Sequence, residues 1–515
     1  MKIALVSPKI NKLRAVNIRI PQGILSLSAM IKSKGCQCDI LDYNEHDYGV
    51  DILKKYDLVG FSVLTGQLAH ATYLADAIVK NSKIVWGGIH CLLDPLSILS
   101  RYPDTFVISG EGEIPLFDLI DYFSGNRADI DSISGLSYSV KGEFKIKEPF
   151  FLKDVNVLPD VDYYDLPYLE KYLHIDIDRL YFKRKMRTLE VVTSRGCFWD
   201  CSFCINSIFR KYKAFHRSKS FEKIKREIKK PIDDLKIELL IPADDDFFSN
   251  KQLVSEWASY TREKGLLWRG SCRYGYIGRA GLESDDFKQL VQSGLYEIAM
   301  GVEAGDEEIR NKVLNKALKD SEIINAVNVI NRSKVDIVVN SSFISYFPGD
   351  TAENRVKMIK LMDFLSKNLN SNFSGPQVYR IYPGSKLAEI ENKNAMNDLN
   401  YYLDNLTFDG WLKSSLKQDE DELLFFSTVL AHFFNTRFNI IAKTENNQAR
   451  NTDLKQSGLL GRLIMSALMV TVIIRLKINF WKFFIEPRYI GKLYRLIRNI
   501  SRFFTDPPQV MEKDS

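Results

Sequence analysis

Three cysteines, Cys197, Cys201 and Cys204, crowd into the segment Thr193-Ser194-Arg195-Gly196-Cys197-Phe198-Trp199-Asp200-Cys201-Ser202-Phe203-Cys204. Their spacing is C-x3-C-x2-C, and thiolates so grouped suit an iron-sulfur cluster or zinc. Structural zinc wants four ligands, and no further Cys or His follows at finger-like spacing, with His216 twelve residues past Cys204. A cubane gripped by three thiolates keeps one iron without a protein ligand, and a small molecule with an amine and a carboxylate can chelate it. The plain alternatives are three buried structural cysteines or an incomplete zinc site.

With an aromatic, Phe203, before the last cysteine, this loop resembles the signature of the radical SAM superfamily. The resemblance implies that the metal centre is a [4Fe-4S] cluster bound by Cys197, Cys201 and Cys204, and that the chelating molecule is S-adenosyl-L-methionine. One electron passed into its sulfonium would release a 5'-deoxyadenosyl radical, the protein supplying position and dryness. Further along, Pro242-Ala243-Asp244-Asp245-Asp246-Phe247-Phe248 resembles the acidic segment that meets the cofactor's amino group, which implicates Asp244 and Asp245. Acids stand there where the superfamily often has Gly-Gly-Glu. Gly301-Val302-Glu303-Ala304-Gly305 is similar to the strand whose glutamate approaches the ribose, and Arg273, Phe347 to Thr351 and Tyr382 to Ser385 fall at comparable places. Blander uses exist for each: Asp244 to Asp246 as a helix cap, Glu303 as a surface acid, the Pro-Gly pairs as turns.

Near the N-terminus, Ser62-Val63-Leu64 and Trp86-Gly87-Gly88 end two apolar runs and are similar to elements of cobalamin-binding domains. A hydroxyl at a sheet's carboxyl edge can bond a buried nucleotide tail, and paired glycines let backbone approach it. Pro21 to Leu27 and Gly110-Glu111-Gly112-Glu113 likewise resemble the cobalamin-binding subgroup. On this basis Ser62, Leu64, Thr65, Gly87, Gly88, Gly110 and Glu111 are the expected cobalamin contacts. An Asp-x-His-x-x-Gly motif is absent, since residues 7 to 20 contain no His; the cobalt would lack a histidine ligand, or the domain keeps only the fold. His90 reads as a solvated loop histidine, and Cys36, Cys38 and Cys272 as small buried hydrophobes.

Positioning these groups requires two strand-helix alternations. Residues 1–125 read as a doubly wound parallel sheet of Rossmann-like, B12-binding type, with strands at Lys2 to Val6, Asp39 to Asp42, Leu58 to Leu64, Lys83 to Trp86 and Phe106 to Ser109. A hairpin and connector fill 126–187. Residues 188–390 read as a partial (β/α)6 barrel with strands at Leu189 to Thr193, Glu238 to Ile241, Trp268 to Arg273, Glu297 to Val302, Asp336 to Ile344 and Gln377 to Tyr382. A helical C-terminal region covers 391–515, expected to close over the substrate. The fold class is therefore α/β.

A chain of 515 residues exceeds one hydrophobic core. Its 45% hydrophobic and 26% charged residues are ordinary for globular protein and suggest neither disorder nor a membrane bundle, and a net charge of +6 does not call for nucleic acid. Met1 to Pro8 has no signal-peptide h-region, and the protein is expected to stay in the cytoplasm. From Leu459 to Phe504 nine Lys/Arg stand against one acid. Such basic helices could contact an anionic membrane peripherally or pack on the barrel, while the uncharged run Leu463 to Ile474 is too short to span a bilayer. The expected activity is cobalamin-dependent methylation of an unactivated carbon in a small-molecule or lipid-like substrate. One S-adenosylmethionine would methylate cobalamin and a second would yield the radical. An external one-electron reductant of flavodoxin or ferredoxin type is the expected partner. A radical cyclase or rearrangement enzyme, and a non-catalytic iron-sulfur scaffold or electron carrier, are the alternatives.

Overall fold

The computed structural model describes residues 1–10, 19–174, 186–279, 282–379, 384–391 and 399–400. The C-terminal helical region, its basic stretch, and Tyr382 and Pro383 of the second Pro-Gly turn lie outside the described residues.

Five parallel strands, β1 (Ile3–Ser7), β2 (Cys38–Asp42), β3 (Leu58–Ser62), β4 (Lys83–Gly87) and β5 (Phe106–Ile108), stand in the order 2-1-3-4-5. Burial on both faces explains their near-continuous apolar runs. Along β1, Ile3 and Leu5 enter one core while Ala4 and Val6 enter another on the opposite face with Phe61 and Trp86. The hairpin β6 (Leu136–Val140) and β7 (Glu143–Lys145) does not stand apart as a connector. It pairs antiparallel with β5 and extends the sheet to seven strands. Such an order reverses direction between β1 and β3, and ligands collect outside the carboxyl ends of the strands at that point.

The second unit is a six-stranded parallel sheet, β8 (Thr188–Val191), β11 (Leu239–Pro242), β12 (Leu267–Cys272), β13 (Leu295–Glu303), β14 (Val338–Ser345) and β15 (Ser371–Val378), each beside the next. Between β8 and β11 a two-stranded ribbon, β9 (Ser194–Arg195) with β10 (Arg217–Ser218), pinches off the cysteine loop. The last strand begins at Ser371 rather than Gln377. It includes Gly375 and Pro376, which β15 can carry as the outer strand of the sheet with a register shift opposite Ser342/Ile344.

The two units share a core. Leu5, Leu116, Tyr163, Leu166, Tyr172, Leu189 and Trp257 belong to one apolar cluster running from the first sheet through the connector into the barrel. Polar ties reinforce it: Gln22 Nε2 and Tyr163 Oη both donate to the Glu190 carbonyl, at 2.7 and 3.1 Å, and Tyr172 Oη donates to Asp42 at 2.6 Å.

Candidate active site

Gly196 opens the cysteine loop with φ +80° against the returning chain, where an added Cβ would stand 3.0 Å from the carbonyls of Ala214 and Phe215. Beyond it the loop is fastened from the barrel side. Ser202 N donates to the Leu314 carbonyl at 2.9 Å, Leu387 N donates to the Ser202 carbonyl at 3.1 Å, and Asn315 Nδ2 donates to the Asp200 carbonyl at 2.7 Å. Phe203 packs on the cluster of Ala304, Leu314, Phe347 and Tyr379.

All seven cysteines are free thiols. Cys197 and Cys204 are pushed up to about 12 and about 11, in each case first by burial; Asp246 adds to this for Cys197. Polar groups meet every sulfur of the loop: Asp246 Oδ2 lies 3.6 Å from Cys197, Arg273 Nη1 3.8 Å from Cys201, and Asn206 Nδ2 3.6 Å from Cys204. Among the described residues no three Cys, His, Asp or Glu side chains are close enough to hold a single metal ion. Three thiols gathered on one short loop, Cys201 and Cys204 near enough to Cys197 to raise it further, are the soft donors an iron-sulfur cluster takes. The donor set therefore fits the cluster.

The three consecutive acids after β11 have three different fates. The buried carboxylate of Asp244 is saturated from within the protein: Oδ1 accepts Thr193 N and Ser194 N at 2.8 and 3.0 Å, while Oδ2 accepts both hydroxyls. Burial nevertheless raises it to about 6. Asp244 thus holds the entry to the cysteine loop. Asp245 turns the other way into an open cavity, bonded to Asn206 and raised by desolvation. Asp246 accepts from Tyr276 Oη at 2.7 Å.

Opposite, a bulge between Gly301 and Glu303 re-aims the end of β13. Glu303 sits at φ +75°, an uncommon conformation for a side-chain-bearing residue. Its carboxylate pairs with the buried Lys316 at 2.9 Å, and a Cβ on Gly301 would lie 2.0 Å from that carboxylate. Glu303 is therefore buried and paired, not a surface acid. Arg273 donates to the Lys316 carbonyl and lies 3.8 Å from the centroid of Trp199.

A cavity of about 370 Å³ opens at the carboxyl edge of the first sheet, between β1 and β3, and reaches the cysteine loop. Ser62, Leu64, Gly87, Gly88, Gly110 and Glu111 line it from one side, and Ser194, Arg195, Gly196 and Asp245 from the other. Thr65 is not among its walls; its hydroxyl lies 3.2 Å from His90 Nδ1. His90 is fully buried rather than solvated, with Nε2 3.2 Å from Ser97 Oγ, and burial lowers it to about 3. Cys38 and Cys272 are buried and Cys36 is partly so.

Several expected cobalamin contacts are spent on the protein itself. Gly88, at φ +90°, lies where a Cβ would be 2.6 Å from Val63 N, and one on Gly110 would be 2.1 Å from the Phe150 carbonyl. Glu111 is held by Arg217 at 2.9 Å and Arg195 at 3.4 Å, and Arg195 bonds Glu113 at 2.6 Å. Burial pushes Glu113 up, but the Arg195 charge more than offsets this and leaves it below the usual range. Beside the backbone of Gly88 and Gly110, which also lines the cavity, free capacity lies in the Ser62 hydroxyl, the exposed Leu64, the open backbone at Gly87, and Glu113 Oε2, which is buried without a partner among the described residues. An apolar cleft with these few polar atoms fits a large, amide-bearing cofactor such as cobalamin.

Asp246, Tyr276, Trp199 and Lys316 escaped the sequence reading. Asp246 stood in a quoted run, but no local signal marks Lys316 or Tyr276 as neighbours of the thiols.

Known proteins converge on the same reading. Residues 191–362 match the Radical SAM superfamily and residues 8–120 the B12 binding domain. The chain belongs to the radical SAM superfamily, in the group that carries a B12 binding domain, and it is an enzyme. Its cofactors are accordingly a [4Fe-4S] cluster, S-adenosyl-L-methionine and cobalamin, and the family draws on an external reductant. "Uncharacterized methyltransferase PH0819" of Pyrococcus horikoshii is 27% identical over 387 residues, covering 73% of this chain and 79% of the relative. Cytidylyl-2-hydroxyethylphosphonate methyltransferase of Streptomyces wedmorensis is 22% identical, covering 58% and 64%. The cobalamin-dependent S-adenosylmethionine radical enzyme OxsB shares the fold, with TM-score 0.63 at 15% identity over 97% of this chain and 83% of that one. No helix among the described residues is long and apolar enough to cross a membrane.

Proposed function

We propose that the protein methylates an unactivated carbon of a small-molecule or lipid-like substrate, using cobalamin and radical chemistry together. The observation that carries this reading is the shared cavity, to which the cysteine-loop residues Arg195 and Gly196, the adjacent Asp245 and the sheet-edge residues Ser62 and Gly87 all contribute. Methyltransferases among the relatives support it. When bound, the cluster and S-adenosylmethionine supply a 5'-deoxyadenosyl radical, and cobalamin supplies the methyl group.

The roles of this chain's residues follow from their surroundings. Cys197, Cys201 and Cys204 hold the cluster. Asp245, with a free face toward the cavity, would receive the amino group of S-adenosylmethionine, and Phe203, Arg273 and the Glu303–Lys316 pair, near the thiols, would help hold the cofactor. Ser62, Leu64 and Gly87 face cobalamin. Asp244, Thr65, Gly88, Gly110 and Glu111 are positioning residues, because their side chains or missing side chains are used inside the fold. Leu5, Leu27, Phe61, Trp86 and Leu92 give the cavity apolar walls that keep water from a reactive radical.

Anaerobic reconstitution with iron, sulfide and hydroxocobalamin, followed by reduction with S-adenosylmethionine and candidate substrates, tests this. Methylation through cobalamin yields both 5'-deoxyadenosine and S-adenosylhomocysteine. 5'-Deoxyadenosine alone would replace the reading with cyclisation or rearrangement, and neither product would leave a non-catalytic iron-sulfur protein.

A further inference from the structure

The cysteine loop has a second face, turned away from the shared cavity, and Trp199 occupies it. Its Nε1 donates to Tyr276 Oη at 2.8 Å, and Tyr276 Oη donates to Asp246 at 2.7 Å, whose same oxygen lies 3.6 Å from Cys197 Sγ. By another route, Arg273 lies 3.8 Å from the indole centroid and 3.8 Å from Cys201 Sγ. The indole is thus connected by short contacts to two of the three thiols.

Trp199 also forms the inner wall of a groove of about 560 Å³ between the helices Lys251–Lys264 and Ser284–Gln292. Phe248, Val254, Ala258 and Leu290 give it an apolar floor, and its charged rim is Lys251, Arg262 and Arg279 against Asp286. Arg279 is matched by Glu322. Lys251 and Arg262 are exposed and have no carboxylate partner among the described residues, Arg262 donating only to the Gln289 carbonyl at 3.0 Å. An apolar floor with unmatched cations on its rim favours a negatively charged partner that docks briefly, as weak electron-transfer complexes do.

We propose that this groove is the docking surface of an acidic one-electron carrier protein of flavodoxin or ferredoxin type, with Trp199 lying between the carrier and the cluster. One electron leaves the carrier's reduced centre and enters the cluster; the carrier is oxidised by one electron, and no bond or proton moves. The claim rests on the reading that Cys197, Cys201 and Cys204 hold a redox-active cluster.

Stopped-flow reduction of the reconstituted full chain by reduced flavodoxin, with dithionite as a small-molecule control, tests it. Lys251→Glu/Arg262→Glu should lower the second-order rate with flavodoxin by at least ~10-fold at low salt and abolish the slowing of wild type by added salt. Iron content and reduction by dithionite should not change. In Trp199→Leu, the limiting rate at saturating flavodoxin should fall while the donor concentration giving half that rate stays put. An unchanged flavodoxin rate in the charge-reversed protein, with normal iron and normal dithionite reduction, would overturn the docking claim alone, and is what a segment of this chain filling the groove would produce. Wild-type protein that takes up no reducible cluster would overturn the underlying reading and the docking claim with it.

Discussion

At the cysteine loop and beside it, side chains keep capacity for a ligand: three free thiols, and Asp245 open to the cavity. At the facing sheet edge, the residues that look most like ligand contacts also serve the fold, Gly88 against Val63, Gly110 against Phe150, and Glu111 between Arg195 and Arg217. One region binds through what it presents; the other binds through a shape that its glycines and ion pairs maintain. The two are joined by Arg195, which stands two residues before Cys197 and bonds both acids of the sheet edge. The opposite domain therefore shares in positioning the loop, together with the barrel contacts of Asp244 and Leu314.

Substitutions separate these two modes. The largest effect is expected at the thiols: Cys197→Ala or Cys204→Ala should abolish cluster iron and sulfide, measured by chemical analysis after reconstitution, with cobalamin retention unaffected. Next is Arg195→Met, which leaves Glu111 and Glu113 short of a partner in a buried place and should cost about 3 kcal/mol of stability in urea unfolding. Adding Glu113→Leu should return part of that loss, since both ends of the buried pair are then gone. Gly88→Ala forces a side chain into positive φ and onto Val63 and should cost about 2 kcal/mol. Its neighbour Gly87 has only the Phe61 carbonyl near, at 3.9 Å. Gly87→Ala should leave stability within ~0.5 kcal/mol yet reduce the cobalamin retained through gel filtration. Equal destabilisation by the two glycine variants would erase the distinction drawn between them.

The smallest effect lies outside both regions. Asp160, where the connector meets the helix Phe221–Leu235, is held down to about 2 by its hydrogen bond to Arg226, with Lys223 adding to it. A carboxylate lowered in the folded state contributes stability above its unfolded value near 4 and loses it as pH falls toward 2. Asp160→Asn should therefore cost under ~1 kcal/mol at neutral pH, because Arg226 is largely exposed, and the gap from wild type should close in acid.

Much of this arrangement could be read from residues close in sequence. The cysteine loop announces itself by spacing, and β1 to β5 by apolar runs flanked by turns. What the sequence concealed depends on distant partners. Glu111 resembled a ligand contact because its partner Arg217 is 106 residues away. Asp244 resembled one because Thr193 and Ser194, which saturate it, precede it by 51 and 50 residues. His90 looked solvated because neither Thr65 nor the packing that buries it is local. The hairpin β6–β7 is legible as a hairpin, but its pairing with β5 is not. The polar Ser371-Asn372 start of β15 fell outside the expected strand because side-by-side pairing with β14, rather than pattern, makes it one.

The most direct test of the central claim is electron paramagnetic resonance of the reduced, reconstituted protein with and without S-adenosylmethionine. A cubane held by Cys197, Cys201 and Cys204 with one iron open to the cofactor predicts a cluster signal that shifts when the cofactor is added. A signal indifferent to S-adenosylmethionine, or purified protein holding zinc in place of iron, would contradict it.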